Sequence, residues 1–166
     1  MFNEIHTVEE LKAVLDYNPL TGLFAWKIAP QGRIVGQVAG SKTERGYYRL
    51  CVDGVRYKAH RVAIAFVEGK WPTELVDHKD RNNGDNRYSE IRHANSCQNQ
   101  ANATIRKDNT SGYKGVSFHK KTKKWSARIT VNKMRIQLGL FNTPEEAHAA
   151  YITVANKRHK EFARAK

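Results

Sequence analysis

Apolar and polar residues alternate along the last third of the chain. Over residues 125–131, apolar side chains occupy every second position, which is the period of a strand with one buried face. The same alternation runs over 135–141, and a strand-like segment at 113–118 precedes both. A basic turn at 120–124 and a tight turn at 132–133 connect these segments. The pattern predicts a three-stranded antiparallel sheet with one apolar face and one polar, basic face.

The spacing of apolar residues becomes helical after the third strand. Thr143 has the character of an N-cap, with Pro144 at the first helical position and Glu146 at the third. Apolar positions from Ala147 to Ala155 then recur at helical spacing, and we expect this stripe to cover the apolar face of the sheet. That face comprises Trp125, Ala127, Ile129, Val131, Ile136, Leu138 and Leu140.

Shorter elements make up the first seventy residues. Thr7–Glu10 has the pattern of a capping box that opens a short amphipathic helix, and Leu23–Trp26 is a short strand. Asp53-Gly54 is a strong hairpin signal, and His60–Glu68 is a predicted helix. We interpret most of this region as scaffold. Some of its basic side chains are nevertheless able to touch phosphates, namely Arg33, Lys42, Arg45 and Arg49.

A strand, a loop, a second strand and a helix follow within about thirty residues. Leu75–His78 and Ser89–His93 have strand character, and the loop between them is rich in Asn, Gly and Asp. Asn95 is a fair N-cap for the helix, with Gln98 at capping-box spacing. Such a unit can bring Asp77, at the end of the first strand, close to Asn99, on the first turns of the helix.

The net charge of the chain is strongly positive and unevenly distributed. The chain has 29 Lys and Arg against 16 Asp and Glu, a formal net charge of +13. Residues 107–166 carry 14 of the basic residues and four of the acids. A net charge of +13 indicates a polyanionic partner or an anionic membrane surface. The change in composition indicates two modules that meet near residue 106, in the polar run 102–111.

Several classes of protein are excluded by what the sequence lacks. It has no run of about 18 to 20 apolar residues. Its first residues do not form a basic-then-apolar signal segment. Cys51 and Cys97 are far apart and lack CxxC spacing, so neither a disulfide framework nor a four-cysteine zinc site is indicated. We therefore expect a soluble protein of a reducing cytoplasm, with no membrane and no obligate protein partner.

Asp77, His78 and Asn99 form the candidate chemistry. Carboxylate and amide oxygens are hard ligands suited to Mg²⁺, Mn²⁺ or Ca²⁺. His78 points to the opposite side of a strand from Asp77 unless the chain bends there, so it suits a base better than a second ligand. Mg²⁺ is the favoured ion because it binds through few protein groups and substrate phosphate oxygens.

These residues resemble a known family. The run Asp-His-x-Asp from Asp77, then Asn86-Arg87, then Ile91-Arg92, with Asn99 22 positions after Asp77, is similar to HNH endonucleases of the ββα-metal class. The similarity is greatest to phage and intron-encoded homing endonucleases. It extends upstream through Tyr17–Gly22, Gly46-Tyr47 and His60–Ala63, and so spans most of residues 17–102.

The resemblance implies a role for each motif position. Asp77 and Asn99 would coordinate one divalent metal, with Mg²⁺ preferred and Mn²⁺ as an alternative, and His78 would be the general base. The family's middle Asn holds the loop and helps to orient the histidine, and Glu90 occupies the matching position here. Glu90 can accept a hydrogen bond from the other ring nitrogen of His78. Alternatively a backbone carbonyl orients the ring, activity is impaired, or Asn86 holds the loop.

The C-terminal module resembles the AP2/ERF DNA-binding domain over residues 111 to about 163. The resemblance rests on Ser111–Val116, Lys124–Ala127, Leu138–Phe141 and Pro144–Tyr151, which match in order. It implies that the sheet enters the DNA major groove. The side chains that it places on the DNA face are Lys114, Trp125, Arg128, Thr130, Arg135 and Gln137. In the first module, Arg92 is a further candidate for a phosphate contact.

Together these observations predict an α+β protein with two modules. Residues 1–106 form an HNH module with its catalytic core at about 75–104, and residues 107–166 form an AP2/ERF-like sheet with a helix. The predicted function is a metal-dependent endonuclease of the phage homing type, acting on double-stranded DNA in the cytoplasm of the host if a phage encodes it. The alternative is a non-catalytic DNA-binding regulator with a degenerate HNH fold, and a non-specific RNA-binding protein ranks third.

Overall fold

The computed structural model describes residues 4–28, 32–105, 108–131 and 134–159. The chain divides into two units, Met1–Ala94 and Asn95–Lys166. Both units combine helices with antiparallel strands, which confirms the predicted α+β class. Within the described ranges, no helix is both long and apolar enough to cross a lipid bilayer.

The first unit begins with a capped helix and two small sheets. Thr7 and Glu10 exchange hydrogen bonds at the start of α1, so the predicted capping box is confirmed. Asp53 and Gly54 both have positive φ angles, 48° and 76°, as the predicted hairpin turn requires. The sheets have the orders β1-β2-β3 and β4-β5-β6. The elements are α1 (Val8–Val14), β1 (Leu15–Asn18), β2 (Leu23–Trp26), β3 (Val38–Ala39), β4 (Ser41–Lys42), β5 (Tyr48–Val52), β6 (Val55–Lys58) and α2 (Ala59–Glu68).

Helix α2 lies at the centre of the first unit. All residues from Ala59 to Ala65 are buried, including the polar His60 and Arg61. The guanidinium of Arg61 donates to the backbone oxygens of Pro72 (2.6 Å) and Glu74 (2.8 Å) and also binds the carboxylate of Glu4. Because these carbonyls precede the next strand, Arg61 fixes the point at which that strand enters the core.

Two strands then form the hairpin that carries the predicted motif. They are β7 (Leu75–His78) and β8 (Ile91–Ala94), paired antiparallel with Asp77 opposite Arg92 and His78 opposite Ile91. The predicted second strand was expected to begin at Ser89. It begins two residues later because Tyr88–Glu90 form a single 3₁₀ turn.

The second unit contains a short helix and the predicted sheet and long helix. Its elements are α3 (Ser96–Asn102), β9 (Val116–His119), β10 (Lys124–Val131), β11 (Met134–Phe141) and α4 (Pro144–His159), with the sheet order β11-β10-β9. Asn95 and Gln98 form the predicted capping box, and Thr143 accepts from the backbone N–H of Glu146. The sheet begins at Val116 rather than at 113, because the Ser111 hydroxyl and two left-handed glycines fold 111–115 into turns.

A β-bulge changes which residues of β11 face the helix. Ala127 pairs with Gly139, but Arg128 pairs with Gln137, so Leu138 is the extra residue on β11. The prediction that Leu140 lies on the apolar face of the sheet is therefore wrong. Leu140 pairs with Ser126, on the opposite face from Ala127, and is 39% exposed.

The predicted boundary between the modules and one predicted turn lie outside the described residues. These are the join near residue 106 and the tight turn at 132–133. The division between the two units falls earlier, after Ala94, so α3 belongs to the second unit. The module boundary near 106 stays a prediction.

Candidate active site

Asp77 and His78 are the last two residues of β7 and are both buried, with 8% and 4% of their surface exposed. Since successive strand residues face opposite sides, the two side chains enter different surroundings. An Nη2 atom of Arg92, directly across the hairpin, lies 3.3 Å from Oδ2 of Asp77. Arg92, predicted to contact phosphate, thus pairs with the carboxylate of the motif.

His78 lies in a cluster of three rings. Its ring centroid is 5.0 Å from that of His60, in an edge-to-face arrangement, and 5.9 Å from that of Tyr47. Tyr47 also lies 5.7 Å from His60. Burial lowers the pKa of His60 to about 3, with smaller contributions from the charges of His78, Lys58 and Arg61. His60 is therefore a neutral imidazole at physiological pH.

The pKa of His78 is lowered from its ordinary value, chiefly by burial. A hydrogen bond with the Asn86 side chain opposes this shift, as do the carboxylates of Asp77, Asp80 and Asp85. The result is an imidazole that is neutral at neutral pH and able to accept a proton. This is the protonation state that a general base requires.

Asn86 is anchored by the N-terminal hairpin. It is 4% exposed, and its backbone oxygen accepts a hydrogen bond of 2.7 Å from the hydroxyl of Tyr17. Burial, with smaller charge effects from Asp85 and Tyr88, raises the pKa of Tyr17 to about 12, so this hydroxyl remains a donor. A Cβ on Gly22 would lie 2.6 Å from the backbone carbon of Asn86, which explains a glycine there. The segment Tyr17–Gly22 thus holds the loop that carries Asn86.

Glu90 ends the 3₁₀ turn between the loop and β8. Its backbone oxygen accepts from the N–H of Lys79 at 2.8 Å, which closes the base of the loop. Its carboxylate accepts a weak hydrogen bond of 3.4 Å from the hydroxyl of Ser89. The predicted hydrogen bond from His78 to Glu90 stays a prediction.

Asn99 lies on α3, in the second unit. It is exposed, whereas Ala101 and Asn102 on the same helix are buried. Its backbone oxygen accepts from the N–H of Ala103 at 3.1 Å, so the helix is intact at this residue. The approach of Asn99 to Asp77 stays a prediction, because the two residues belong to different units.

The donor chemistry fits a lightly ligated divalent ion. Asp77 offers a carboxylate and Asn99 an amide oxygen, both hard donors. Among the described residues, no three His, Cys, Asp or Glu side chains cluster as a metal cage would require. An ion held by two protein oxygens, with water and substrate phosphate as its other ligands, is the usual arrangement for Mg²⁺.

A basic concavity of about 570 Å³ lies on the β4–β6 sheet. Arg49 and Lys58 face each other across β5 and β6, and the ring of Tyr47 belongs both to this surface and to the histidine cluster. The Nδ2 atom of Asn83, in the loop after β7, donates to the backbone oxygen of Arg45 at 3.0 Å. The lining residues are Lys42, Thr43, Glu44, Arg45, Tyr47, Arg49 and Lys58. Four basic side chains against one acid suit a phosphate backbone.

In the second unit, four of the predicted DNA-facing residues share one face of the sheet. Arg128 pairs with Gln137, and Thr130 pairs with Arg135, across β10 and β11. All except Arg128 are exposed, and Arg128 donates from Nε to the Ser126 hydroxyl at 3.1 Å. This polar face is defined here by Arg128, Thr130, Arg135 and Gln137.

The other two predicted DNA-facing residues of the second unit, Trp125 and Lys114, are not part of this polar face. Trp125 lies on the side of β10 that carries Ala127, and its ring is 5.1 Å from that of Phe118. It therefore does not share the polar face, and its contact with DNA stays a prediction. The ammonium of Lys114 donates to the backbone oxygens of Ala101 and Ala103, at the end of α3.

Comparisons with known proteins agree with both modules. Residues 57–101 match the model of the HNH endonuclease family, and residues 111–161 match the model of the AP2 domain. A search of curated proteins finds no match. A solved structure concerned with DNA binding and cleavage by the HNH homing endonuclease I-HmuI is 17% identical, with a TM-score of 0.47, over 93% of this chain and 90% of that one. The chain thus contains a segment similar to the HNH endonuclease family, followed by a segment similar to the AP2 domain.

Proposed function

We propose that the protein is a metal-dependent DNA endonuclease of the phage homing type. One observation carries this proposal: a buried His78 with a lowered pKa stands beside a buried Asp77 at the end of β7, inside the segment that matches the HNH family. Asp77 and Asn99 would hold one divalent metal, Mg²⁺ in preference to Mn²⁺.

In this mechanism His78 takes a proton from a water molecule, whose oxygen then bonds to the scissile phosphorus. The bond from phosphorus to the 3′ oxygen breaks and this oxygen takes a proton from solvent water, leaving a 5′-phosphate and a 3′-hydroxyl. A divalent ion held by Asp77 and Asn99 would supply positive charge that stabilises the transition state at the scissile phosphate. Asn86 keeps the ring oriented, and the cluster with His60 and Tyr47 restricts its rotation.

Two basic surfaces support DNA as the substrate. The polar face of the AP2 sheet has the width and the side chains of a β-sheet that reads the major groove. The basic concavity of the first unit adjoins Tyr47 and hence the ring cluster of His78. We infer that the sheet holds the duplex and that the concavity guides its backbone towards His78.

Cleavage of supercoiled plasmid tests the proposal directly. We expect nicking or linearisation with Mg²⁺ that EDTA stops, that His78→Ala abolishes and that Asp77→Ala strongly reduces. His93→Ala is the matched control, because His93 lies on the partner strand and pairs with Glu68 at 2.7 Å. It should cleave like the unmodified protein.

A second function, a DNA-binding regulator without nuclease activity, is favoured by Glu90, which stands where the family motif has Asn. The same experiment separates the two functions. Binding of duplex DNA with no cleavage in Mg²⁺ or Mn²⁺ would establish the regulator and overturn the nuclease. Competition between duplex DNA and RNA tests the RNA-binding alternative.

A further inference from the structure

Lys114 joins the helix of Asn99 to the AP2 sheet. The lysine lies in the turn that precedes β9, and its ammonium donates to two backbone oxygens at the end of α3. The bond to Ala103 measures 2.7 Å, and the second acceptor is Ala101. The lysine and both acceptors belong to the second unit.

Helix α3 needs such support because it is short. A helix of seven residues is marginal on its own, and its last carbonyls have no partner within the helix. The capping box of Asn95 and Gln98 closes its N-terminal end. A lysine at the opposite end both supplies donors and complements the negative end of the helix dipole.

Apolar packing leaves part of α3 unsupported. A cavity of about 540 Å³ lies beside it, lined among others by Cys97, Gln100, Lys114 and Arg128. Ala101 and Asn102 are buried, so the helix is anchored at its C-terminal turn, the same turn that Lys114 binds. The orientation of the preceding turn, which carries Asn99, therefore depends on this anchor.

We propose that Lys114 is a positioning residue, which fixes α3 and thereby orients Asn99, and that it does not serve as a DNA contact. This inference rests on the proposed function in one respect, namely that Asn99 is a metal ligand. As a consequence, the side chain of Lys114 connects the sheet that binds DNA to the helix that carries Asn99, in addition to the backbone.

The test compares Lys114→Met and Lys114→Arg with Lys120→Met, a control of equal charge change in the exposed basic turn. Three quantities are measured on the full chain: amide hydrogen exchange at Asn99 and Ala103 without metal, affinity for duplex DNA in EDTA as a function of salt, and the Mg²⁺ concentration for half-maximal cleavage at saturating DNA. Circular dichroism verifies that each variant is folded.

For Lys114→Met we expect faster exchange in α3, unchanged DNA affinity and a Mg²⁺ midpoint raised roughly 10- to 100-fold, the usual effect of losing a group that orients a metal ligand. Lys114→Arg should restore most of the protection, because a guanidinium can donate to the same carbonyls. Lys120→Met should leave exchange in α3 unchanged.

The opposite pattern would overturn the inference. If Lys114→Met weakens DNA binding and lowers the salt slope by about one while exchange in α3 is unchanged, Lys114 is a phosphate contact. If the unmodified protein cuts no DNA, the proposed function fails. The exchange and binding measurements then still decide whether Lys114 fixes α3.

Discussion

Two opposing effects act on the pKa of His78. Burial lowers its pKa, while the Asn86 side chain and three nearby carboxylates raise it. An imidazole in this position stays neutral at neutral pH yet has acceptors near it when it takes a proton. The pKa of His78 therefore depends on side chains of the loop after β7 as well as on the burial of the strand that carries the histidine.

Asn86, rather than Glu90, is expected to orient His78. We expect Asn86→Ala to reduce the cleavage rate by roughly 10- to 100-fold, since it removes a buried group that holds the base. Glu90→Ala should have a much smaller effect, because its carboxylate is bound to Ser89. Rates are measured at saturating DNA and Mg²⁺, with Asn83→Ala as a control in the same loop. A larger loss for Glu90→Ala would assign the orienting role to the glutamate.

His60 is expected to make the fold sensitive to acid. Its pKa is about 3 in the folded protein and about 6.5 in an unfolded chain, so between these values the unfolded state binds more protons. The free energy of unfolding should fall as the pH drops through this window, by roughly 2 kcal/mol from this group at pH 5. The contribution of His60 to the free energy of unfolding should change little above pH 7.

Urea unfolding at pH 7.5 and pH 5.0 measures this effect. His60→Gln, which carries no titrating group, should lose less stability between the two pH values than the unmodified protein does. His119→Gln, whose ring contacts Thr122 near the surface, is the control. An equal loss in His60→Gln and in the unmodified protein would show that His60 is not the acid-sensitive group.

At the level of elements, the junction of β9, β10 and α4 depends on Gly115. Its φ angle is +73°, and a Cβ there would overlap the ring of Tyr151 and lie 2.7 Å from the backbone oxygen of Arg128. Gly112 has nearly the same φ, +72°, but a Cβ there would meet nothing within 4 Å. Alanine substitutions at these two glycines therefore separate the energetic cost of backbone strain from that of steric overlap.

We expect Gly112→Ala to cost about 1 to 2 kcal/mol of unfolding free energy, the cost of a left-handed alanine. Gly115→Ala should cost more than about 3 kcal/mol, because Tyr151 or the sheet must also move. Denaturant unfolding followed by circular dichroism gives both values. Equal losses would mean that the helix and the sheet adapt to the added methyl group.

At the scale of the whole molecule, the net positive charge is unevenly distributed along the chain. Residues 107–166, where the polar face of the sheet lies, have 14 basic residues against four acids and so carry +10 of the net charge of +13. Residues 1–106 are nearly balanced, with 15 basic residues against 12 acids, yet four of their basic side chains line the basic concavity. A modest net charge therefore does not exclude a local binding surface.

Affinity for DNA should depend steeply on salt. If the basic side chains of the protein neutralise about six to ten phosphates, the association constant should fall by about 10³ to 10⁵ between 50 and 200 mM salt. Arg135→Gln should lower the slope by about one, and Lys70→Gln, after α2 and outside both surfaces, should leave it unchanged. A binding constant that is flat across this range would contradict the phosphate-anchored model.

Features that depend on neighbouring residues were predictable from the sequence. The hairpin at Asp53-Gly54, the capping boxes at Thr7 and Asn95, and the helix start at Thr143 were all predicted and are confirmed. Each is set by contacts within a few residues, so local composition suffices. The pairing of strands β7 and β8 around a polar loop was predictable for the same reason.

Tertiary structure alone decided the surroundings of the candidate site. Tyr17 reaches Asn86 across 69 positions of sequence, and His60 meets His78 from a different element. The bulge at Leu138 reversed the face of Leu140, because a one-residue shift inverts a period of two. Lys114 was assigned by resemblance to DNA, yet its donors bind the end of α3. The sequence by itself determined which chemical groups are present and where capped helices and the hairpin turn begin, since those depend on short-range energies. Which groups meet depended on packing among distant segments.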